Sequence, residues 1–214
     1  FTTFISNHST ITLPALTTVN NTMFTASSGG KIDANASSYT YSSTGLNNGL
    51  YTLFSADGPG SDVNLPGMTS LDDGYLSGGY NYGFSHTIQA TNGGTINLSG
   101  ATSIKGPSYN DSLAINLDST GGSINLNSLT EITHAGGYAF TRLNATGNGI
   151  ALPVLSSVGF VAFTSNNSTI TLPALTTVND TTFTASGGGK INAEVSQFTY
   201  STTGLGHSYT ILSA

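Results

Sequence analysis

The sequence predicts an all-β protein: a single-stranded right-handed parallel β-helix of about eight coils, with 20–33 residues per coil. Three features favour this fold, namely a short apolar motif that returns at irregular intervals, glycine-rich turns between the copies, and a content of charged residues of only 7%. Long helices usually need Glu, Lys and Arg, so the composition argues against them. Right-handed winding is the usual hand of parallel crossover connections.

The motif is clearest in the nine residues from Ile11 to Val19, which return almost unchanged from Ile170 to Val178. Weaker copies begin at Val63, Ile96, Ile124 and Ile150, and degenerate copies begin at Ile32 and Ile191. In the six clearer copies, the first and last apolar residues lie eight positions apart. A fixed motif at variable spacing is typical of solenoid coils that carry loops of different length.

Each coil is expected to contain a first strand, a turn, an I-x-L strand and a short last strand. The first strand carries one large apolar residue, and these residues are Phe4, Phe24, Phe54, Ile88, Ile115, Phe140, Phe163 and Phe183. Glycine pairs such as Gly29-Gly30 suit the turn, because glycine tolerates positive φ. Proline follows the I-x-L leucine in four copies, at Pro14, Pro66, Pro153 and Pro173, and it can end the strand because it has no N–H to donate. Stacked coils would then bury columns of apolar side chains.

Two other folds fit the pattern less well. A leucine-rich repeat would show a regular period and a helix or extended arm in each repeat. A pair of β-sandwiches would not repeat one motif along the whole chain.

A longer repeat overlies the coils, because residues 1–46 align with residues 160–205 at a constant offset of 159, with 33 identities. We therefore expect one β-solenoid domain, residues 1–214, made of a 159-residue superrepeat (1–159) and part of a second copy (160–214). The favoured interpretation is a segment of a longer tandem array. The alternative is an internal duplication within a complete protein.

The composition argues against several classes of function. The net charge is −6 with four basic residues, too few for a phosphate-binding patch, so no nucleic-acid partner is expected. No apolar run is long enough for a membrane-spanning helix. The chain has no Cys and its four His are scattered, so no cofactor or metal site is expected. The nonapeptide calcium repeat is absent, and calcium at the Asp-containing turns stays open.

Length variation predicts the position of a binding surface. The spacing lengthens at three consecutive insertions, about 42–53, 72–87 and 105–114, which should cluster on one side of the solenoid. The middle insertion holds the candidate ligand-binding residues Asp72, Asp73, Tyr75, Tyr80 and Tyr82. Aromatic rings can stack on sugar faces and carboxylates accept hydrogen bonds from sugar hydroxyls. The alternative is a loop whose Tyr side chains fold over the flank of the solenoid.

No catalytic pair is convincing, and we expect a protein without enzymatic activity. Asp72 and Asp73 are adjacent, so on a strand they would point to opposite faces. Asp57 and Asp62 flank a Gly-Pro-Gly-Ser turn and suit turn positions. Aligned coils place Lys31 beside Asp62, where the two could form an exposed ion pair.

The pattern G-G-x-I-x-L resembles the β-solenoid repeats of large bacterial surface and adhesin-like proteins. It occurs at Gly94-Thr95-Ile96-Asn97-Leu98 and again at Gly122-Ser123-Ile124-Asn125-Leu126. The resemblance implies an extracellular or surface-attached structural or adhesive segment. Its expected partners are glycans, another cell-surface protein or neighbouring repeats of the parent chain. It supplies no catalytic residues.

Two other functions stay open. One is a carbohydrate-active enzyme or carbohydrate-binding module of the pectin-lyase-like type. The other is an ice-binding solenoid, suggested by outward Thr pairs such as Thr10/Thr12, although charges such as Lys31 interrupt that ladder.

Overall fold

The computed structural model describes residues 2–41, 50–73, 85–108, 112–117, 121–136, 139–195, 197–199 and 212–213. These residues form β-strands and turns, with no helix among them. The first strands are β1 (Thr2–Asn7), β2 (Thr10–Leu13), β3 (Thr18–Asn20), β4 (Thr22–Ser27), β5 (Lys31–Ala34), β6 (Ser38–Thr40), β7 (Leu50–Asp57), β8 (Asp62–Asn64) and β9 (Ser70–Asp72). The next are β10 (Ser85–Thr91), β11 (Thr95–Asn97), β12 (Ser103–Ser108), β13 (Ser112–Leu117), β14 (Ser123–Asn125), β15 (Glu131–Gly136), β16 (Thr141–Thr146), β17 (Ile150–Ala151) and β18 (Ser157–Gly159). The last are β19 (Val161–Asn166), β20 (Thr169–Leu172), β21 (Thr177–Asn179), β22 (Thr182–Ser186), β23 (Lys190–Ala193), β24 (Gln197–Thr199) and β25 (Leu212–Ser213).

The strands stack in parallel sheets, and nearly every third strand returns to the same sheet. Sheet A has nine strands in the order β1-β4-β7-β10-β13-β16-β19-β22-β25. Sheet C has eight strands, from β3 to β24. The I-x-L strands form sheet B (β2, β5, β8, β11, β14) and the separate sheet D (β17, β20, β23). This is the all-β, parallel-sheet architecture that the motif predicts. A set of three consecutive strands, one from each face, is called a coil below.

Equivalent apolar residues align from coil to coil in the interior. In sheet A, Phe24 pairs with Phe54, Phe54 with Ile88, and Ile88 with Ile115. All four side chains are at most 1% exposed. The Phe4–Phe24 rings stack at 5.5 Å and the Phe163–Phe183 rings at 5.4 Å between centroids. Each strand therefore contributes one step of a continuous apolar column.

The prediction is wrong at two places. Leu143, not Phe140, occupies the sheet A column, because Leu143 pairs with Ile115 on one side and with Phe163 on the other. Phe140 lies before β16, outside the ladder. The second difference is that β14 and β17 belong to different sheets, whereas every I-x-L strand was expected to pair with the next. The strand β17 has only two residues, and the corner before it is closed by a local bond from Asn148 N to Thr146 O (2.8 Å).

Two corners of most coils are tight for identifiable reasons. At the corner after the I-x-L strand, the amide of the residue three positions on donates to the carbonyl of the leucine, as from Leu16 N to Leu13 O (3.2 Å) and from Leu175 N to Leu172 O (3.3 Å). At the glycine corner, Gly93 has φ +83°, a conformation that glycine adopts freely. A Cβ on the following Gly94 would lie 2.3 Å from the Ala56 carbonyl oxygen of the preceding coil. The second glycine of the pair therefore permits close stacking.

A ladder of hydroxyls reinforces the stack beside sheet C. Each side-chain hydroxyl in this column donates to the carbonyl oxygen of the equivalent residue in the preceding coil, over 2.8–3.2 Å. The donors, in order, are Ser37, Thr69, Thr102, Thr130, Ser156 and Thr176. A typical hydrogen bond contributes about 0.5–1.5 kcal/mol net, so the column adds cohesion along the axis.

We predict that Gly94→Ala destabilises the protein by roughly 1–3 kcal/mol, since the new Cβ overpacks against the Ala56 carbonyl. Urea denaturation measures the effect. The matched control is Gly159→Ala, where an added Cβ meets no atom within 4 Å. Equal stability of the two variants would contradict the close-approach explanation.

Candidate functional site

The long insertions leave the solenoid at one corner, where the chain passes from sheet C to sheet A. This corner takes one residue at Asn21 and at Phe160, which both have positive φ. It lengthens in four consecutive coils, in the connections 41–49, 73–84, 109–111 and 137–140, and again between β24 and β25 in the connection 200–211. Because β7, β10, β13 and β16 are neighbours in sheet A, the first four connections return on adjacent strands. The connections therefore start and end at the same corner, which agrees with the predicted clustering, and residues 137–140 form a further insertion that the assignment of Phe140 to the first strand had concealed.

The predicted ligand-binding residues divide between described and undescribed parts of the chain. Tyr75, Tyr80 and Tyr82 lie outside the described residues, as do residues 42–49, 109–111 and 137–138 of the other insertions. Asp72 and Asp73 are described, and they point to opposite faces as expected. Asp72 faces outward and forms an ion pair with Lys105, with 3.2 Å between Oδ2 and Nζ and both side chains well exposed. Asp73 faces the interior.

The buried carboxylate of Asp73 lies against a histidine. Asp73 Oδ1 is 2.6 Å from Nδ1 of His86, and both side chains are at most 2% exposed. Asp73 directly follows β9 and His86 is the second residue of β10. The contact therefore joins the two strand ends on either side of residues 74–84. Since both groups are enclosed, this pair anchors the strand ends rather than meeting a solute.

Two tyrosines complete a polar cluster in the core, which we call the Tyr39–His86 cluster (Tyr39, Tyr41, Asp73 and His86). The Tyr41 ring centroid lies 4.2 Å from that of His86, and Tyr41 is the last described residue before residues 42–49. Tyr39 packs edge-on against Phe54 at 5.3 Å. Burial raises the pKa of Tyr39, and the nearby Asp73 and Tyr41 raise it further. The phenol of Tyr39 therefore stays protonated. The cluster connects the strand ends that flank two consecutive insertions, 42–49 and 74–84.

Strand alternation could have located this cluster from the sequence. Asp73 lies two residues after the core residue Leu71, and His86 lies two residues before the core residue Ile88. Side chains two positions apart on a strand share a face, so both are inward-facing positions. Treating the four histidines as scattered overlooked this periodicity.

A second group of aromatic residues packs at the same corner, further along the chain. The His134 ring stacks on Phe160 at 3.8 Å between centroids, and Phe140 lies 5.7 Å from Phe160. Phe160 has φ +57°, an uncommon conformation for a bulky residue. Burial lowers the pKa of His134, and the carboxylate of Asp180 opposes this in part. The stack lies at the one-residue corner that Phe160 forms between β18 and β19.

The other predicted polar residues occupy turns and strand faces. Asp57 Oδ1 accepts hydrogen bonds from Thr91 Oγ1 (2.6 Å) and Asn92 Nδ2 (2.7 Å), which lower its pKa. Lys31 and Asp62 are register partners, as aligned from the sequence. Asp62 accepts from Thr95 Oγ1 at 2.9 Å.

An open groove of about 310 Å³ lies beside β23, lined by small and polar residues with one cation, Lys190. In the part of the chain that the structure describes, no group of three or more His, Asp or Glu could hold a metal ion. The described residues also include no helix of the length and apolarity needed to cross a membrane.

Comparisons with known proteins add no relative. No protein-family model, curated protein or solved structure matches this chain.

We predict that Asp73→Ala lowers the free energy of unfolding by roughly 1–3 kcal/mol, because it removes a buried hydrogen-bond partner of His86. The double variant Asp73→Leu/His86→Leu should lose less than the single variant, since two apolar groups can replace a buried pair at little net cost. Denaturant unfolding measures both.

Asp72→Ala is the matched control, because it breaks the exposed ion pair with Lys105, and the loss of such a pair should cost about 1 kcal/mol or less. The buried-pair interpretation is wrong if the Asp72 and Asp73 variants lose the same stability.

We predict a pH dependence from His134. Because burial lowers its pKa in the folded protein, the unfolded chain binds the proton first as the pH falls. The contribution of neutral His134 is therefore complete above about pH 6.5 and is lost as the pH drops below that value. His134→Phe keeps a stacking ring but cannot titrate. The wild type should lose more stability than this variant between about pH 7.5 and about pH 5, and parallel curves would refute the assignment.

Proposed function

We propose that the chain is a non-catalytic structural segment of a longer extracellular repeat protein. In this proposal it is a right-handed β-helical rod of about eight coils, extended by further copies of the 159-residue unit. Loops on one corner of the rod contact glycans or another cell-surface protein.

One observation carries the proposal: the coils continue across the boundary between the two copies of the unit. Strand β16 ends the first unit on sheet A and β19 begins the second. They pair from Thr141↔Val161 to Thr146↔Asn166 without a register shift. The next pair, β19 with β22, aligns Phe163 with Phe183, as β1 with β4 aligns Phe4 with Phe24. A unit therefore stacks on its neighbour as its own coils stack on one another.

Burial supports the same proposal. Phe163, Ile170 and Leu172 are fully buried beneath the coil formed by β16 to β18. Their equivalents in the first copy, Phe4, Ile11 and Leu13, are only partly buried. A coil like 141–159 placed against β1 would cover these residues in the same manner. The partial burial of these residues agrees with the proposal that neighbouring repeats of the parent chain pack against each other.

The proposed glycan contact is supported by the shared origin of the insertions at one corner. Asp72 lies on the outer side of this corner, and Tyr75, Tyr80 and Tyr82 follow in the same insertion. Asp73 has a structural role, because its buried contact with His86 fixes the two strand ends between which this insertion lies. The binding surface in this proposal is therefore Asp72 with the three tyrosines.

A chain with a second copy of residues 1–159 inserted before residue 160 tests the rod. Six added coils should lengthen the particle by about 29 Å at about 4.8 Å per coil, without a change in cross-section. Small-angle X-ray scattering of this chain and the 214-residue chain measures both dimensions.

A control chain carries Leu143→Asp in the copy that directly precedes residue 160. Because this substitution puts a carboxylate into the apolar column next to Phe163, it should lower the melting temperature. Growth in cross-section instead of length would reject the tandem-rod proposal.

A further inference from the structure

The outward face of sheet A is nearly free of charge across five neighbouring strands, β10, β13, β16, β19 and β22. Its first outward column is Thr87, Ala114, Arg142, Ala162 and Thr182. Its second is Gln89, Asn116, Asn144, Thr164 and Thr184. The alternating residues of these strands, such as Ile115 and Leu143, are buried. Within these two columns Arg142 is the single ionised side chain.

Arg142 is the sole Arg of the chain, and it is exposed on this face. Its register partners on the adjacent strands are Ala114 and Ala162, whose side chains are too short to overhang it. The described part of the chain provides no carboxylate within ion-pair distance of its guanidinium; the ion pairs found there join His86 with Asp73 and Lys105 with Asp72. The guanidinium is therefore available to a ligand from both sides.

The second column supplies neutral hydrogen-bonding groups. Asn144 lies two positions after Arg142 on β16, and its register partner Asn116 lies on the neighbouring strand β13. Asn144 Nδ2 donates to Asn116 Oδ1 at 2.8 Å, which fixes the orientation of both amides. The remaining carbonyl of Asn144 and the amide hydrogens of Asn116 can accept from and donate to a ligand. This places fixed amide groups and a cation on the same face of sheet A.

We propose that this surface, defined by Arg142, Asn116 and Asn144, binds an acidic oligosaccharide, with a sugar carboxylate on the guanidinium and hydroxyls on the two amides. The planar guanidinium matches a carboxylate with two parallel hydrogen bonds. A single cation on an uncharged polar face suits a ligand with sparse charges and many hydroxyls. A densely charged polyanion would need several cations and would meet a protein of net charge −6. The choice of a glycan rests on the proposed function, but the surface is separate from the insertions.

Binding of the protein to an immobilised oligouronate tests this inference, and the fully methyl-esterified form of the same oligosaccharide is the uncharged control. The wild-type protein should bind the free acid and not the ester, and binding should weaken with added salt. Arg142→Ala should reduce the affinity by roughly tenfold or more, because a hydrogen bond to a charged group contributes about 1.5–3 kcal/mol. Arg142→Lys should recover only part of it, since an ammonium cannot form the paired contact.

Lys190→Ala is the matched control, because it removes an exposed cation from a different sheet. Equal binding by the wild type and Arg142→Ala, equal binding of acid and ester, or no binding of the acid would each overturn the inference. The triple variant Tyr75→Ala/Tyr80→Ala/Tyr82→Ala separates it from the proposed loop contact. If the triple variant loses glycan binding and Arg142→Ala keeps it, the loop proposal stands and the Arg142 surface is wrong.

Discussion

The parallel backbone ladder between successive coils is the constraint on which the rest of the structure depends. Side chains alternate between the two faces of a strand, so a shift of one residue would move a whole apolar set to the solvent side. In sheet A, Phe24, Phe54 and Ile88 are aligned, and one register shift between β7 and β10, which leaves Leu53 without a counterpart, precedes the match of Phe54 with Ile88. The hydroxyl ladder beside sheet C restrains the register of the coils on a second face of the solenoid. No coil buries its apolar side chains alone, and the stack supplies the core.

The three corners of a coil differ in how much length variation they accept, and packing explains the difference. At the glycine corner, the second glycine lies so close to the carbonyl of the preceding coil that even a Cβ does not fit, as at Gly94 and Gly122. At the corner after the I-x-L strand, a single backbone bond closes a short turn. The corner between sheets C and A lacks both restraints. Its minimal form is one residue with positive φ, and longer segments replace it without disturbing the ladder.

The Tyr39–His86 cluster lies beneath this variable corner, and the two features are coupled. A buried pair of ionisable groups adds little net stability compared with apolar residues of the same size. What the Asp73–His86 contact provides is position, because it joins the end of β9 to the start of β10. Tyr41 packs on the same histidine and precedes the neighbouring insertion. The core thus sets where the proposed binding loops begin, while the second proposed surface, around Arg142, lies on sheet A.

The sequence by itself determined the parallel stack and nearly all of its register, because a motif of constant internal spacing leaves few ways to align the inward residues. It also placed the insertions on one side and turned Asp72 and Asp73 to opposite faces. Only the tertiary structure decided that Leu143 replaces Phe140 in the column, that β14 and β17 separate, and that Asp73 meets His86. Those outcomes depend on contacts between residues far apart in the chain, and on which of two apolar residues reaches the ladder. The local sequence pattern determines neither of these outcomes, because it specifies which face of the strand a side chain occupies but not which residue it contacts.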